Sequence, residues 1–421
     1  MMRYLLLALL LPLFAHSQKT YDFKEAELKT RRLIYSAPDS ALVVIKRTLA
    51  QKGKLHDTIY GNTYNLYGMY YGMKGNPDSS IYYFKKSLTY IDEHPRNKVR
   101  SLLNLSIAYR NKGDYSTAIK LAQDVVDINE KIDNEIGVGM AYGEIASSYN
   151  LMNEYDKSID YLLRAVNILK KQKGNKQLPA VKQKLANTYL KKENFDFALD
   201  LYKECLVDFK AMGADKNYYM TLLNMGEAYI HKHQLGSAKN VLSEAAQGLE
   251  KFGDKEVLGI TYSKVGNLER QLKNNAKAIA NYDKAFKYLL QTKSPHLVRI
   301  GSEYIDLLNF SGNFALAKDI IAKIDASKKI QVANDLDRMV YQKAVAVTYA
   351  QTNEDKKAIE AFKNAVVMMD SLAIKEKKED VKEVQAKFQT AEQREKNIKL
   401  AENNETLQNT IATEKRSGYF I

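Results

Sequence analysis

An all-α chain of stacked helical hairpins is what this sequence predicts, and three observations predict it. Small residues recur at Ala41, Ser80, Ala118, Ser158, Ala198, Ala238, Ala278, Ala317 and Ala358, spaced by 38 to 41 residues. A fixed period of that size is the signature of a repeat array. Around each of these positions further residues follow at offsets of four and seven, which fall on one face of a helix. Only 6 prolines occur in 421 residues, and none interrupts a periodic segment, so the helices can run unbroken.

The chain opens with Arg3, an apolar run from Tyr4 to Ala15, and then Ala15-His16-Ser17 before Gln18. A charged start, a short apolar core and a small-x-small site describe an export signal over residues 1–17. The run carries Pro12 and falls short of the roughly 20 apolar residues a membrane span needs. The expected location is therefore exported and periplasmic. The single thiol, Cys205, has no partner for an internal disulfide and reads as a small core residue.

Each unit is written twice over. Four residues after the small positions stand Ile45, Phe84, Ala122, Leu162, Tyr202, Leu242, Tyr282, Ile321 and Phe362, and three further on small residues return, as at Ser87, Ala165, Ala245, Ala285 and Ala365. Twelve residues before the small positions lies a second set, Gly68, Ser106, Ala146, Ala186, Gly226, Gly266 and Ala346, followed three later by Tyr71, Tyr109, Tyr149, Tyr189, Tyr229 and Tyr349. A Gly or Ala admits the bulky residue of a neighbouring helix, and the aromatic one turn on fills the space beside it. Short polar stretches such as Lys112-Gly113-Asp114 and Asn153-Glu154 read as the turns, so each unit is two antiparallel helices. Pro38 and Pro77 are expected in such turns, and Pro95, Pro179 and Pro295 at or before helix starts.

With these residues in place the pattern resembles the tetratricopeptide repeat. Leu222, Met225, Gly226, Tyr229, Ala238, Leu242 and Ala245 match its small-x-x-Tyr first helix and its Ala-x-x-x-aromatic-x-x-Ala second helix. The likeness runs from about residue 24 to 371 within an array assigned to residues 18–371. It covers about nine units, the first short and one degenerate, with Ile305 and Leu308 where Gly and Tyr are expected. It implies a right-handed superhelix whose concave groove is lined by the first helices. The period near 40 exceeds the family's usual 34 and implies longer helices or loops.

Residues 372–416 read as a coiled-coil helix, since Val381, Val384, Phe388, Ala391 and Ile398 form a seam at three-four and seven spacing. Leu407 and Ile411 are offset from it, which places a register shift near Glu402. Homodimerisation through this helix is the expectation. Residues 417–421 form an apolar stub after Lys415-Arg416, readable as the start of a cut-off membrane span. An exported array followed by a charged coiled coil resembles the sensor region of bacterial repeat-containing histidine kinases or helix-turn-helix regulators.

Chemistry is sparse. No His-Glu-x-x-His, Gly-x-x-x-x-Gly-Lys or Gly-x-Ser-x-Gly occurs, so no enzyme, cofactor or metal is expected. His231 and His233 are two apart and would point to different faces of a helix. The excess of 64 Lys and Arg over 50 Asp and Glu, +14, favours acidic partners or membrane surfaces. It concentrates between Arg164 and Lys192, where nine basic residues stand without an acid. Nucleic acid is not expected, because export separates the chain from it and no aromatic interleaving suggests base stacking.

The expected partner is a protein or peptide in the concave groove. Asn187, Asn224 and Lys264 resemble three positions of the family's carboxylate clamp, although Gln183 and Ile260 stand where that clamp carries lysines. Asn104, Arg110, Asn267 and Arg270 are expected on the same surface. Two functions are consistent with this reading: a non-catalytic sensor whose coiled coil relays binding, or a static exported scaffold for complex assembly.

Overall fold

The computed structural model of the chain describes residues 21–51, 55–172 and 174–373. The segments read as export signal and apolar stub, and the seam from Val381 to Ile411, lie outside them. Helices pair in chain order as α1 (Phe23–Ser36) with α2 (Pro38–Leu49), α3 (Asp57–Met73) with α4 (Pro77–Ile91), α5 (Pro95–Lys112) with α6 (Tyr115–Lys131), α7 (Glu135–Leu151) with α8 (Tyr155–Lys170) and α9 (Leu178–Lys191) with α10 (Phe195–Ala211). They continue as α11 (Lys216–His231) with α12 (Leu235–Glu250), α13 (Lys255–Gln271) with α14 (Asn275–Thr292) and α15 (Leu297–Phe310) with α16 (Phe314–Ala326). A short 3-10 segment, Lys329–Val332, leads to α17 (Asp335–Ala350), whose partner is the helical stretch 355–373, α18. Nine hairpins and no strand are present among the described residues. Two compact units, Met1–Ala228 and Tyr229–Ile421, divide the chain within α11.

The turn inside a hairpin is the same backbone device eight times. Gly75, Gly113, Asn153, Glu193, His233, Lys273, Gly312 and Asn353 all take left-handed φ values between 54° and 90°. The N–H of the next residue then donates to the carbonyl five residues back, from Asn76 to Tyr71, Asp114 to Tyr109 and Glu154 to Tyr149, and so on to Glu354 and Tyr349, at 2.8 to 3.0 Å. This is the Schellman closure, which satisfies a carbonyl that the helix end leaves unpaired. Several of the donating residues also cap the following helix: Asn76 accepts from the Ser79 N–H at 3.0 Å and Asp114 from that of Thr117 at 3.1 Å. Pro38 and Pro77 sit at the first position of α2 and α4 and not in the turns, because that position needs no N–H and suits the fixed φ of proline.

Packing inside the hairpins follows the predicted exchange of large and small. A Cβ added at Gly68 would fall 2.5 Å from the ring of Phe84, and one at Gly266 would fall 2.8 Å from that of Tyr282. Both rings are buried. The aromatic residue one turn on stacks beside them, as Tyr71 does on Tyr83 with ring centroids 5.3 Å apart, and Tyr149 on Tyr161 at 5.7 Å. In the second hairpin this grows into a zipper. Tyr60, Tyr64 and Tyr67 of α3 alternate with Tyr90 and Tyr83 of α4, successive centroids lying 4.3 to 6.3 Å apart, within the range where aromatic pairs add to simple burial.

In the unit Met1–Ala228 the first helices also pack on one another, α3 on α5, α5 on α7 and α7 on α9. Second helices meet chiefly their own partner and the first helix that follows. The first helices thus form the inner side of this unit. Cys205 lies buried in α10 with its thiol directed at the Pro179 carbonyl, 3.4 Å away. Burial pushes that thiol up to about 12, so it is expected to stay unmodified by a thiol reagent in the folded protein and to react once denatured. Rapid native labelling, read by mass spectrometry, would contradict this packing.

Candidate functional site

Two residues before the small position, or before Ile305 in its place, six of the first helices carry a polar side chain: Asn104, Glu144, Lys184, Asn224, Lys264 and Glu303. The first four occupy successive first helices of the unit Met1–Ala228, and the structure joins their surroundings by hydrogen bonds between neighbouring helices. Lys184 on α9 donates to Glu144 on α7 at 2.6 Å, and Arg110 on α5 donates to the other oxygen of the same carboxylate. The Glu144 side chain is only 15% exposed. Burial alone would raise its pKa, but Lys184 and Arg110 outweigh that and hold it below the ordinary carboxylate value. One acid between two bases leaves this part-buried cluster with a net positive charge.

The asparagines are tied in as well. Asn187 accepts from the Tyr202 hydroxyl at 2.6 Å and from the Asn224 amide at 3.0 Å. Asn104 donates to Asn65 at 3.1 Å, and Asn65 donates to Ser101 at 2.8 Å. Gln183 reaches Thr221 at 2.7 Å, and Lys191 reaches Asn150 at 2.7 Å. Apart from the Tyr202 bond inside its own hairpin, these bonds join residues roughly one repeat apart, so the inner side is a ladder of polar struts. Asn104, Arg110, Asn187 and Asn224, expected on the concave surface, are each hydrogen-bonded to a neighbouring helix.

The second unit carries the other three candidates on α13. Lys264, Asn267 and Arg270 follow at three-residue steps along one stripe and are half-buried. Arg270 donates to Asp306 of α15 at 2.9 Å. Glu303, at the recurring polar position of α15, accepts from the Tyr282 hydroxyl at 3.2 Å, and burial raises its pKa with Arg299 partly opposing.

The structure brings Asn187 and Asn224 into contact and sets Arg110 on Glu144. Glu144 was not among the residues expected to face a ligand, although its place in the forty-residue register between Asn104 and Lys184 marks it. In the basic stretch from Arg164 to Lys192, four of the nine basic residues form ion pairs. Arg164 pairs with Asp160 at 2.8 Å, Lys182 with Glu204 at 2.8 Å, Lys184 with Glu144, and Lys192 with Asp156. Neighbouring helices supply the acids for Lys182, Lys184 and Lys192, while Arg164 finds its own one turn back on α8. His233 occupies one of the left-handed turns, and no group of three His, Cys, Asp or Glu placed to hold a metal ion occurs among the described residues. No helix among those residues is long and apolar enough to cross a membrane.

Residues 137–207 and 99–132 each match the tetratricopeptide repeat family. These two stretches are tetratricopeptide repeats. The matched stretches span hairpins α5 to α10, where the interlocked register and polar ladder are described above. No curated protein matches the sequence. Among solved structures, the tetratricopeptide-repeat chain is similar to a Rap protein complexed with Competence and Sporulation Factor (13% identity, 83% of this chain and 98% of that one, TM-score 0.55). It is likewise similar to the apo form of the quorum sensor NprR from B. thuringiensis (15% identity, 82% and 98%, TM-score 0.55). A third similar structure is aspartyl phosphate phosphatase F from Bacillus subtilis (16% identity, 83% and 94%, TM-score 0.51). At these identities the likeness concerns the fold.

Proposed function

We propose that this tetratricopeptide-repeat protein is a non-catalytic binding module for a protein or peptide, acting as the exported sensor part of a signalling protein. The observation that carries the reading is the polar ladder on the inner side of the unit Met1–Ala228, above all the Asn187–Asn224 pair beside the Arg110–Glu144–Lys184 cluster. Amide side chains fixed by their neighbours present donors and acceptors at set positions without further ordering cost, which suits the main chain of an extended peptide. The positive balance of the cluster suits a carboxylate on that peptide. Two of the similar folds are, by their own descriptions, a complex with a named factor and a quorum sensor, and this supports the choice of a ligand-responsive module over a static scaffold. Export and signal relay rest on the amino-terminal pattern and the carboxy-terminal seam of the sequence.

The test is selection of peptides from a random displayed library on the intact protein. Enrichment of peptides whose binding falls at least tenfold in Asn187→Ala and Asn224→Ala, with unchanged circular dichroism, is the expected result. Peptides whose affinity ignores both changes, or no enrichment at all, would remove the inner ladder as the binding face.

A further inference from the structure

The first hairpin and the helix that follows it enclose a cavity of about 220 Å³. α2 packs on α3 more sparingly than α4 does on α5, α6 on α7 or α8 on α9, and the cavity lies in the resulting gap. Phe23, Ile45, Ile59 and Leu66 supply apolar walls, and Lys24, which is exposed, stands at the mouth. No residue of the Arg110–Glu144–Lys184 cluster or of the Asn187–Asn224 pair lines it, so the cavity is distinct from the inner ladder.

Three threonines set its chemistry. Thr30, Thr48 and Thr63 line the cavity and are 1%, 6% and 5% exposed. Each hydroxyl donates its single proton to the carbonyl four residues back on its own helix, Thr30 to Ala26 at 2.7 Å, Thr48 to Val44 at 2.9 Å and Thr63 to Ile59 at 2.6 Å. A hydroxyl carries one proton and two lone pairs, so toward the cavity these oxygens act as acceptors. With its own proton spent, Thr48 already accepts from the Tyr21 hydroxyl at 2.6 Å. Thr30 and Thr63 are the acceptors left for a guest.

The ionic groups beside the cavity are matched among themselves. Glu27, part of the lining, accepts from Arg31 at 2.7 Å on one oxygen and from Asn62 at 3.2 Å on the other, with Arg100 at 3.8 Å. An anionic guest would meet Glu27, and a cationic one would meet Lys24 and the two guanidiniums. Either charge would also lose hydration against apolar walls. A neutral guest with one donor avoids both costs. Size follows by proportion, since an engineered apolar cavity of about 150 Å³ holds benzene and this one would hold about nine heavy atoms. We infer that the cavity binds a neutral group of that size with an apolar body and one hydroxyl, such as a 4-alkylphenol, which donates to Thr30 or Thr63. A free phenol and a tyrosine side chain of a peptide share this chemistry.

Calorimetric titration of the intact protein with two isomers tests the assignment. 4-Ethylphenol and 4-methylanisole have the same size and composition, but only the first carries an O–H. 4-Ethylphenol is expected to bind about fivefold more tightly, the usual worth of one neutral hydrogen bond. Thr30→Val combined with Thr63→Val keeps the side-chain shapes and is expected to bring the isomers level, with circular dichroism unchanged. Thr63→Leu fills the space and is expected to weaken both by about tenfold or more. N-acetyltyrosinamide that binds as tightly as 4-ethylphenol would identify the guest as a tyrosine residue, and failure of that compound alone would identify it as a small molecule. Both results keep the site. No binding of either isomer, equal affinity for the two in the unaltered protein, or tighter binding of benzoate or benzylammonium than of 4-ethylphenol would overturn it.

Discussion

Gly68→Ala is expected to destabilise the protein by about 1 to 3 kcal/mol, the usual cost of forcing extra atoms into a packed core. Helix propensity alone favours alanine over glycine by about 1 kcal/mol, so the steric cost must exceed that gain. It does so because the new Cβ would lie 2.5 Å from Cδ1 and Cε1 of Phe84, a ring that is itself buried and has nowhere to turn. Gly236→Ala is the matched control. Gly236 lies in α12 with nothing within 4 Å of its added Cβ, and there the same change should be neutral or stabilising by up to about 1 kcal/mol. Denaturant midpoints that move the same way for both variants would refute the large-small interlock as the element that sets hairpin geometry.

Glu144→Gln should cost about 2 kcal/mol at neutral pH. Removing one partner of a buried ion pair typically costs roughly 3 to 5 kcal/mol, and Lys184, at 39% side-chain exposure, can recover part of its hydration. The effect carries a pH signature. The folded pKa of Glu144 is depressed, with burial acting against the shift and Lys184 and Arg110 overcoming it. A depressed carboxylate stabilises fully above its unfolded value, about 4.3, and that contribution drains away as pH falls through the folded pKa. The gap between wild type and variant should accordingly be widest near pH 7 and shrink in acid. Urea midpoints whose gap is the same at pH 7 and pH 3 would show that charge plays no part in holding these three helices together.

How far the sequence disclosed the molecule depends on whether a feature is local to the repeat register. Gly68 against Phe84 was readable because volume matching inside a hairpin recurs at a fixed offset. The turns were placed but not their chemistry: Glu193, Lys273 and Asn353 adopt left-handed backbone without the glycine that usually announces it. The charge balance of the basic stretch looks one-sided because it is summed along the chain. Lys182, Lys184 and Lys192 find Glu204, Glu144 and Asp156 at separations of 22 to 40 residues, so in a solenoid the relevant neighbours lie on the adjacent helices. Asn187 and Asn224 were picked for a ligand, and their bond to each other could be seen only once the helices were stacked.

The recurring corner at Gly75, Gly113, Asn153, Glu193, His233, Lys273, Gly312 and Asn353 has an implication for how such a chain changes length. Because the eight hairpins from α3 onward bend through one shared conformation, a segment excised between two of these corners leaves ends that already fit, and a duplicated segment needs no new connector. Growth or loss by whole modules then alters the number of stacking interfaces while leaving the folding rules of each surviving module intact.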